Sequence, residues 1–395
     1  MNLTPTMASE RNHFIDALRG IALLGIFLVN VPDMLRMESS SIYFIYTGID
    51  SYFKIVLDLL MKTKFYTIFS FLYGYAFWLF LKRAEEKGRL GEKLFMKRSL
   101  ILFAIGFVHA LFLWEGDILH SYAVMGLGLL LFRKSKPKTI VIWASSLLAV
   151  YGVLGFIASQ TIFDTKLVFS MEPYNVFSPY WANLVHRLTD DMVGSWMMMP
   201  LYVLELLPLF LFGLAAAKAD LFGKLMKDRG LFKRMQMGSL LIGVILSVPI
   251  VYTFVFDENY ATLKIVLFLM LAGKALAVFY ILTFWQVFDR TKGRRWLEPF
   301  RAVGRMSLSN YLLQTVATLL LFSLTLANPT TLHLWQTVFY CLIFYSLQAA
   351  GSMLWLSKFQ VGPVEWLLRR GTYGGKANIP IVRPIQQKKD RSIQH

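Results

Sequence analysis

The sequence predicts an all-α polytopic membrane protein of about ten transmembrane helices, with both termini in the cytoplasm. Three observations predict it. Hydrophobic residues make up 56% of the 395 positions and charged residues only 16%, proportions that ordinary soluble domains do not show. Apolar stretches recur along the chain at membrane length, since about 30 Å of hydrocarbon takes roughly 20 apolar residues at 1.5 Å per residue. The charged residues collect between these stretches, and the basic ones collect in alternate connections, as translocation costs require.

The first span, 15–35, carries Asp16, Arg19 and Asn30 on one face, because offsets of 3 and 14 residues return near the start at about 100° per residue. Asp16 and Arg19 are placed to pair at the inner boundary. The outer connection 36–64 is too long for a turn. It holds Tyr43, Tyr46 and Tyr52, then Lys54, Asp58 and Lys62 at the four-residue spacing of one helix face. Spans follow at 65–81, at 99–115 with His109, and at 117–132, which opens on Asp117 and His120. After the span 139–157 comes a second long outer segment, 158–198. There Trp181, Leu184, Val185 and Leu188 form a helical stripe, with Asn183, Arg187 and Asp190 off it. The pattern predicts a helix in the headgroup plane, or else a lid over an outer cavity.

The later spans are 201–217 with Glu205 and Pro208, 237–255, 263–287 with Lys274 beside Gly273, 308–326 with Asn310 and Gln314, and 335–355. Gly362-Pro363 then breaks the chain as it leaves the membrane. Residues 1–375 are expected to form one transmembrane domain, and the polar tail 376–395 to be disordered.

The formal net charge is +17, and its distribution explains it. With the N-terminus inside, the inner segments hold 33 of the 41 Lys and Arg. One span more or fewer would put a basic loop outside, so the charge supports an even number. It serves topology and attracts anionic headgroups of membrane lipids, and gives no reason to expect a nucleic-acid partner. The plasma membrane is the expected location. Residues 20–31 follow Arg11 and Arg19 in the manner of a signal peptide, but no Ala-x-Ala cleavage site follows them.

Cys341 is the single cysteine, which excludes an intrachain disulfide and a cysteine metal cluster. No His-Glu-x-x-His pattern occurs, so no metal is expected, and no Walker-type phosphate loop is present. Function is therefore sought among ionisable groups inside the membrane, which are rare and face a cavity or a partner. His109, Asn30 and Glu205 each fall five or six residues from the outer end of a span, about 8–9 Å deep. A carboxylate beside a histidine is a general-base arrangement, and Asp117 or Glu205 can supply it to His109. Lys274 near the midplane either pairs with Glu205 or serves a substrate. Asn310 and Gln314, four apart, can face one cavity. Arg294, Arg295, Arg301 and Arg305 form a basic inner cluster suited to an anionic ligand, although positive-inside charge explains it equally.

Four ordered patches carry a resemblance that covers nearly the whole chain. They are Asp16-Ala17-Leu18-Arg19-Gly20-Ile21-Ala22-Leu23-Leu24-Gly25 leading to Asn30; Gly106-Phe107-Val108-His109 running on to Gly116-Asp117-Ile118-Leu119 and Tyr122-Ala123; Gly304-Arg305-Met306 with Asn310-Tyr311-Leu312 and Gln314; and Gly362-Pro363-Val364-Glu365-Trp366 with Arg369. Together they resemble the YeiB-like membrane family (domain of unknown function, family four-eighteen). That family is distantly similar to transmembrane acyltransferases of the heparan glucosaminide N-acetyltransferase type. Those enzymes move an acyl group from cytoplasmic acyl-CoA to an acceptor sugar across the membrane. By that resemblance Asn30 matches a site asparagine. The site histidine that follows it there has no counterpart, because residues 36–64 contain none, and His109 would have to substitute from another helix.

The resemblance implies acyl transfer. Acyl-CoA would dock near Arg301 and Arg305, and His109, oriented by Asp117 or Glu205, would act as base on a small-molecule, sugar or lipid acceptor. Asn30, Arg19, His120, Lys274, Asn310 and Gln314 would line the substrate site. The alternative is a small-molecule or lipid transporter or flippase, with Lys274 at a polar midplane site. Oligomeric state is not legible in the sequence.

Overall fold

A computed structural model describes residues 13–35, 46–164, 184–185, 187–191, 194, 197, 199–256, 262–290, 295–325 and 332–374. The described residues are 89% helical and contain no strand. In chain order the helices are α1 (His13–Met34), α2 (Ile49–Leu60), α3 (Lys64–Glu86), α4 (Gly91–Phe112), α5 (Leu119–Gly128), α6 (Pro137–Asp164) and α7 (Met199–Lys218). They continue as α8 (Leu221–Lys227), α9 (Arg229–Phe256), α10 (Thr262–Arg290), α11 (Glu298–Arg305), α12 (Ser307–Thr325), α13 (Leu334–Lys358) and α14 (Pro363–Tyr373).

Each of the ten expected spans is helical. Seven helices are long and apolar enough to cross a membrane: α1, α4, α6, α7, α9, α10 and α13. Of the other three, α3 has 23 residues but intersperses tyrosine and serine. The remaining two are the shorter apolar helices Leu119–Phe132 and Ser307–Phe322. The chain is thus an all-α polytopic membrane protein. The first outer connection does contain a helix, α2, whose Lys54 reaches both oxygens of Asp58 at 2.8 Å. Most of the second, including Trp181 and Asn183, lies outside the described residues, as do Arg294 and the tail 376–395.

Burial separates a centre from a rim. In α1, 67% of the spanning window is buried, against 11% in α6 and 17% in α9. Leu241, Ile242, Ile245 and Val248 of α9 point outward, as lipid-facing residues do. α1 is therefore the hub. It packs on α11, α3, α13 and α12, and the closest of these approaches uses two glycines. A methyl group at Gly20 would stand 2.0 Å from the Phe300 carbonyl oxygen, and one at Gly304 only 1.7 Å from that of Asp16. Small residues that let backbones touch are a main source of helix association where lipid removes the hydrophobic drive. Two of the sequence patches, around Gly20 and Gly304, are thereby one interface.

A third contact explains a further patch. Glu365, in the first turn of α14, accepts the free backbone N–H groups of Leu308 (2.7 Å) and Ser309 (3.1 Å) and also the Ser309 hydroxyl. These are orphan donors at the start of α12, and a carboxylate there also suits the helix dipole.

Candidate active site around Asp117

The connection from α4 to α5 positions the site. α4 begins at Gly91, eight residues before the expected span, and already ends at Phe112; α5 has only 10 residues before a 3₁₀ turn, Leu129–Phe132. The hairpin is therefore displaced toward the end of the bundle where α1 begins. Its Leu119 shares one core cluster with Leu23 of α1, Leu102 of α4 and Tyr311 of α12. The turn between α4 and α5 is consequently deep inside the molecule, with Trp114 and Asp117 both buried. Asn30, seven residues beyond Leu23 on α1, lies about 10 Å further along.

Irregular backbone at membrane depth must find its hydrogen bonds within the protein. Asp117 supplies them. Its Oδ2 accepts the N–H groups of Leu119 at 3.0 Å and His120 at 3.4 Å, closing the first turn of α5. Its Oδ1 accepts the Tyr311 hydroxyl at 3.1 Å. Two imidazoles flank the same carboxylate, His109 Nδ1 at 3.0 Å from Oδ1 and His120 Nδ1 at 3.5 Å from Oδ2. Both stand at ion-pair distance but out of line for a hydrogen bond; catalytic hydrogen bonds are often loose without substrate. Close approach of the helices brings the histidines together. Gly106 permits it, since a methyl group there would stand 2.4 Å from the His120 nitrogen.

The two histidines differ in exposure to space. A cavity of about 80 Å³ is lined by Glu115, Gly116, Asp117, Ile118, His120, Ser121 and Tyr202. His120 reaches this cavity. His109 is 2% exposed and packs its ring 5.4 Å from that of Tyr311, and its Nε2 has no hydrogen-bond partner among the described residues. Above the cavity, Arg187 of the second outer segment is buried and stands 3.5 Å from Glu115. A larger concavity of about 640 Å³ lies between α2, α9 and α10. Its walls, including Leu59, Val244, Val248, Leu276 and Phe279, are mostly apolar and bring no carboxylate or imidazole to it.

Glu205 does not join Asp117. It pairs with Lys274 at 3.1 Å and accepts the Tyr66 hydroxyl, so the expected offset in depth is bridged by the lysine stem. Asn310 and Gln314 are engaged between α12 and α13. Asn310 donates to Val303 O (3.2 Å) and Ser352 Oγ (3.0 Å), and Gln314 to Gln348 Oε1 (2.9 Å). Arg19 stands 3.6 Å from Asp16. Arg301 pairs with Glu298 and His13, and Arg305 donates to Gln360 O at 3.0 Å. Asn30 is half-buried on α1 and bonds to neither cluster.

Tyr311 is the site residue that polarity alone did not single out. A tyrosine in an apolar span reads as packing, and its one signal was its place in the patch Asn310-Tyr311-Leu312.

Comparison with known proteins adds the following. Residues 216–375 match a family model described as a protein of unknown function, DUF418. The uncharacterised protein YxaH of Bacillus subtilis is 32% identical over 94% of this chain and 96% of its own length. An uncharacterised 39.9 kDa protein from the amylase 3′ region of Bacillus acidopullulyticus is 30% identical over 95% and 97%. The uncharacterised YeiB of Escherichia coli is 26% identical over 92% and 96%.

Proposed function

The chain belongs to the DUF418 family, and on that premise we propose that it is a membrane-embedded acyltransferase with its acid–base centre at Asp117. The carrying observation is the short α4–α5 hairpin. It holds a carboxylate flanked by two histidines deep in the bundle, beside a cavity that His120 reaches. Tyr311 on Asp117 is only six residues on from Arg305, across the break between α11 and α12, so a thioester bound at the basic end needs to cross only part of the membrane.

In this proposal His120 takes the proton from an acceptor hydroxyl or amine while the acceptor attacks the thioester carbonyl. The carbon–sulfur bond breaks as the tetrahedral intermediate collapses, and the thiolate leaves protonated from the imidazolium. Asp117 orients the ring and stabilises its charge; with both oxygens accepting hydrogen bonds it is a poor nucleophile. His109, on the far side of Asp117, holds the carboxylate in place. Arg301 and Arg305 receive the donor phosphates, and Asn30 remains the candidate for the acceptor side. Leu23, Leu102 and Val303 are buried in one core cluster with Leu119 and Tyr311, so in this proposal the acyl arm enters when helices part. In this proposal the chain sits in the plasma membrane, with both termini and the donor on the cytoplasmic side, as the basic inner segments favour.

The test is thiol release from acetyl-CoA by purified protein in vesicles of bacterial lipid extract. His120→Ala and Asp117→Asn should each lower release at least about 100-fold. Rates that Asp117→Asn leaves unchanged would sink the proposal. Transport is the second reading, favoured by the buried Glu205–Lys274 pair, since ionisable groups at such depth mark substrate and proton pathways. It requires vesicle flux that survives Asp117→Asn and is lost in Glu205→Gln.

A further inference from the structure

The Glu205–Lys274 pair has surroundings that charge neutralisation does not call for. Lys274 Nζ stands 3.1 Å from Glu205 Oε1, and 3.4 Å from both the Tyr66 hydroxyl and the Met270 carbonyl oxygen. It also lies 5.8 Å from the centre of the Tyr66 ring and 5.5 Å from that of Tyr151. Two aromatic faces and a carboxylate around one ammonium are the elements by which proteins recognise organic cations. A buried ion pair is rarely kept for stability alone, because well-packed apolar residues of similar volume are often as stable or more so.

We propose that Glu205, Tyr66 and Tyr151 form a binding site for a small organic ammonium ion, and that Lys274 is its resting occupant. The occupant is held on an unbranched, flexible stem from α10, whereas the cage is built on three other helices: Tyr66 on α3, Tyr151 on α6 and Glu205 on α7. The site can therefore stay assembled while its cation is exchanged. The carboxylate keeps a cation throughout, and the displaced Lys274 ammonium stays on its stem, where carbonyl oxygens such as that of Met270 take it up. Access is from the side of the small cavity: Tyr202, which lines it, is one turn before Glu205 on α7, and Tyr66, Tyr151 and Tyr202 are only half-buried. This inference concerns binding and does not rest on acyl transfer.

The experiment is a thermal titration of the purified full chain in detergent, followed by tryptophan fluorescence, with tetramethylammonium chloride against sodium chloride at equal ionic strength. Wild type should show a saturable rise in Tm with tetramethylammonium only. Lys274→Ala, with the resting occupant removed, should bind it at least about tenfold more tightly. Tyr151→Leu should bind about threefold to tenfold more weakly, and Glu205→Gln should lose the effect. If Lys274→Ala does not fold, wild type against Tyr151→Leu decides the matter, as Tyr151 is on the rim helix α6. Equal shifts in the two salts for wild type, or a tetramethylammonium effect that survives Glu205→Gln, would overturn the proposal.

Discussion

Asp117 combines two tasks in one side chain. It caps the first turn of α5 and holds two imidazoles, so replacing it tests structure and chemistry together. Tyr311 separates them. Tyr311→Phe keeps the ring that packs on His109 and removes only the hydroxyl given to a buried carboxylate. A hydrogen bond to a charged group contributes about 1.5–3 kcal/mol, so the unfolding midpoint in detergent should fall accordingly, while the α5 cap stays intact. An unchanged midpoint would show that the Tyr311–Asp117 contact carries no stability. The sequence offered both Asp117 and Glu205 as the carboxylate for His109; the structure has Asp117, which is separated from it by a short connection. That His120, not His109, reaches the cavity was not readable, because it depends on how α4 and α5 are rotated against each other. Glu205 and Lys274 were foreseeable partners because few other groups at that depth could satisfy either one.

At the level of helices, the α4–α5 contact depends on Gly106. Gly106→Ala places a methyl group against the His120 backbone nitrogen, so the helices must separate. Overpacking of this kind costs about 1–3 kcal/mol, and the imidazoles should part from Asp117 as well. The matching change at Gly152 in α6 meets nothing within 4 Å. There alanine should be neutral or slightly stabilising, as helix propensity predicts. Comparison of the two unfolding midpoints checks the claim; equal losses would mean that the close approach is not needed. The ten apolar runs are helical, but α8, α11 and α14 have no apolar run of membrane length and were not legible. Nor were lengths. α4 extends past its apolar run toward Gly91, and α5 is cut short, because Asp117 can satisfy backbone donors inside the bundle and no hydropathy pattern reports that. The packing of the Gly20 patch on the Gly304 patch was equally hidden, being a contact between segments far apart in sequence.

For the whole molecule, the basic segments predict which end faces the cytoplasm, and the single cysteine makes the prediction simple to check. Cys341 is fully buried, so the native chain should be nearly silent to a membrane-impermeant maleimide. Tyr52→Cys on exposed α2 should react in intact cells. Lys134→Cys, exposed after the 3₁₀ turn at the other end, should react only once the membrane is opened. The reverse pattern would invert the orientation and move the proposed donor side outside. The all-α polytopic class and the charge asymmetry could be read from composition and sequence order alone. The division into a buried hub and a lipid-facing rim could not, because α1, α6 and α9 are similarly apolar and differ chiefly in where others pack on them.

The position of α1 at the hub sets a schedule for biosynthesis. The Tyr345 hydroxyl donates to the Gly20 carbonyl oxygen across 325 residues of chain, and the glycine seam of α1 is filled by α11, also synthesised late. At roughly 5–20 residues per second, α1 has α3 beside it early but waits on the order of 15–65 s after emerging before the last of its partners, α13, exists. During that interval Asp16 and Arg19 have each other, but the Gly20 face of α1 lacks the α11 backbone that later covers it. Nascent chains arrested before α11 should therefore be short-lived substrates for membrane proteases, whereas chains arrested after α13 should survive, and a pulse-chase of the two would display the difference as a lifetime.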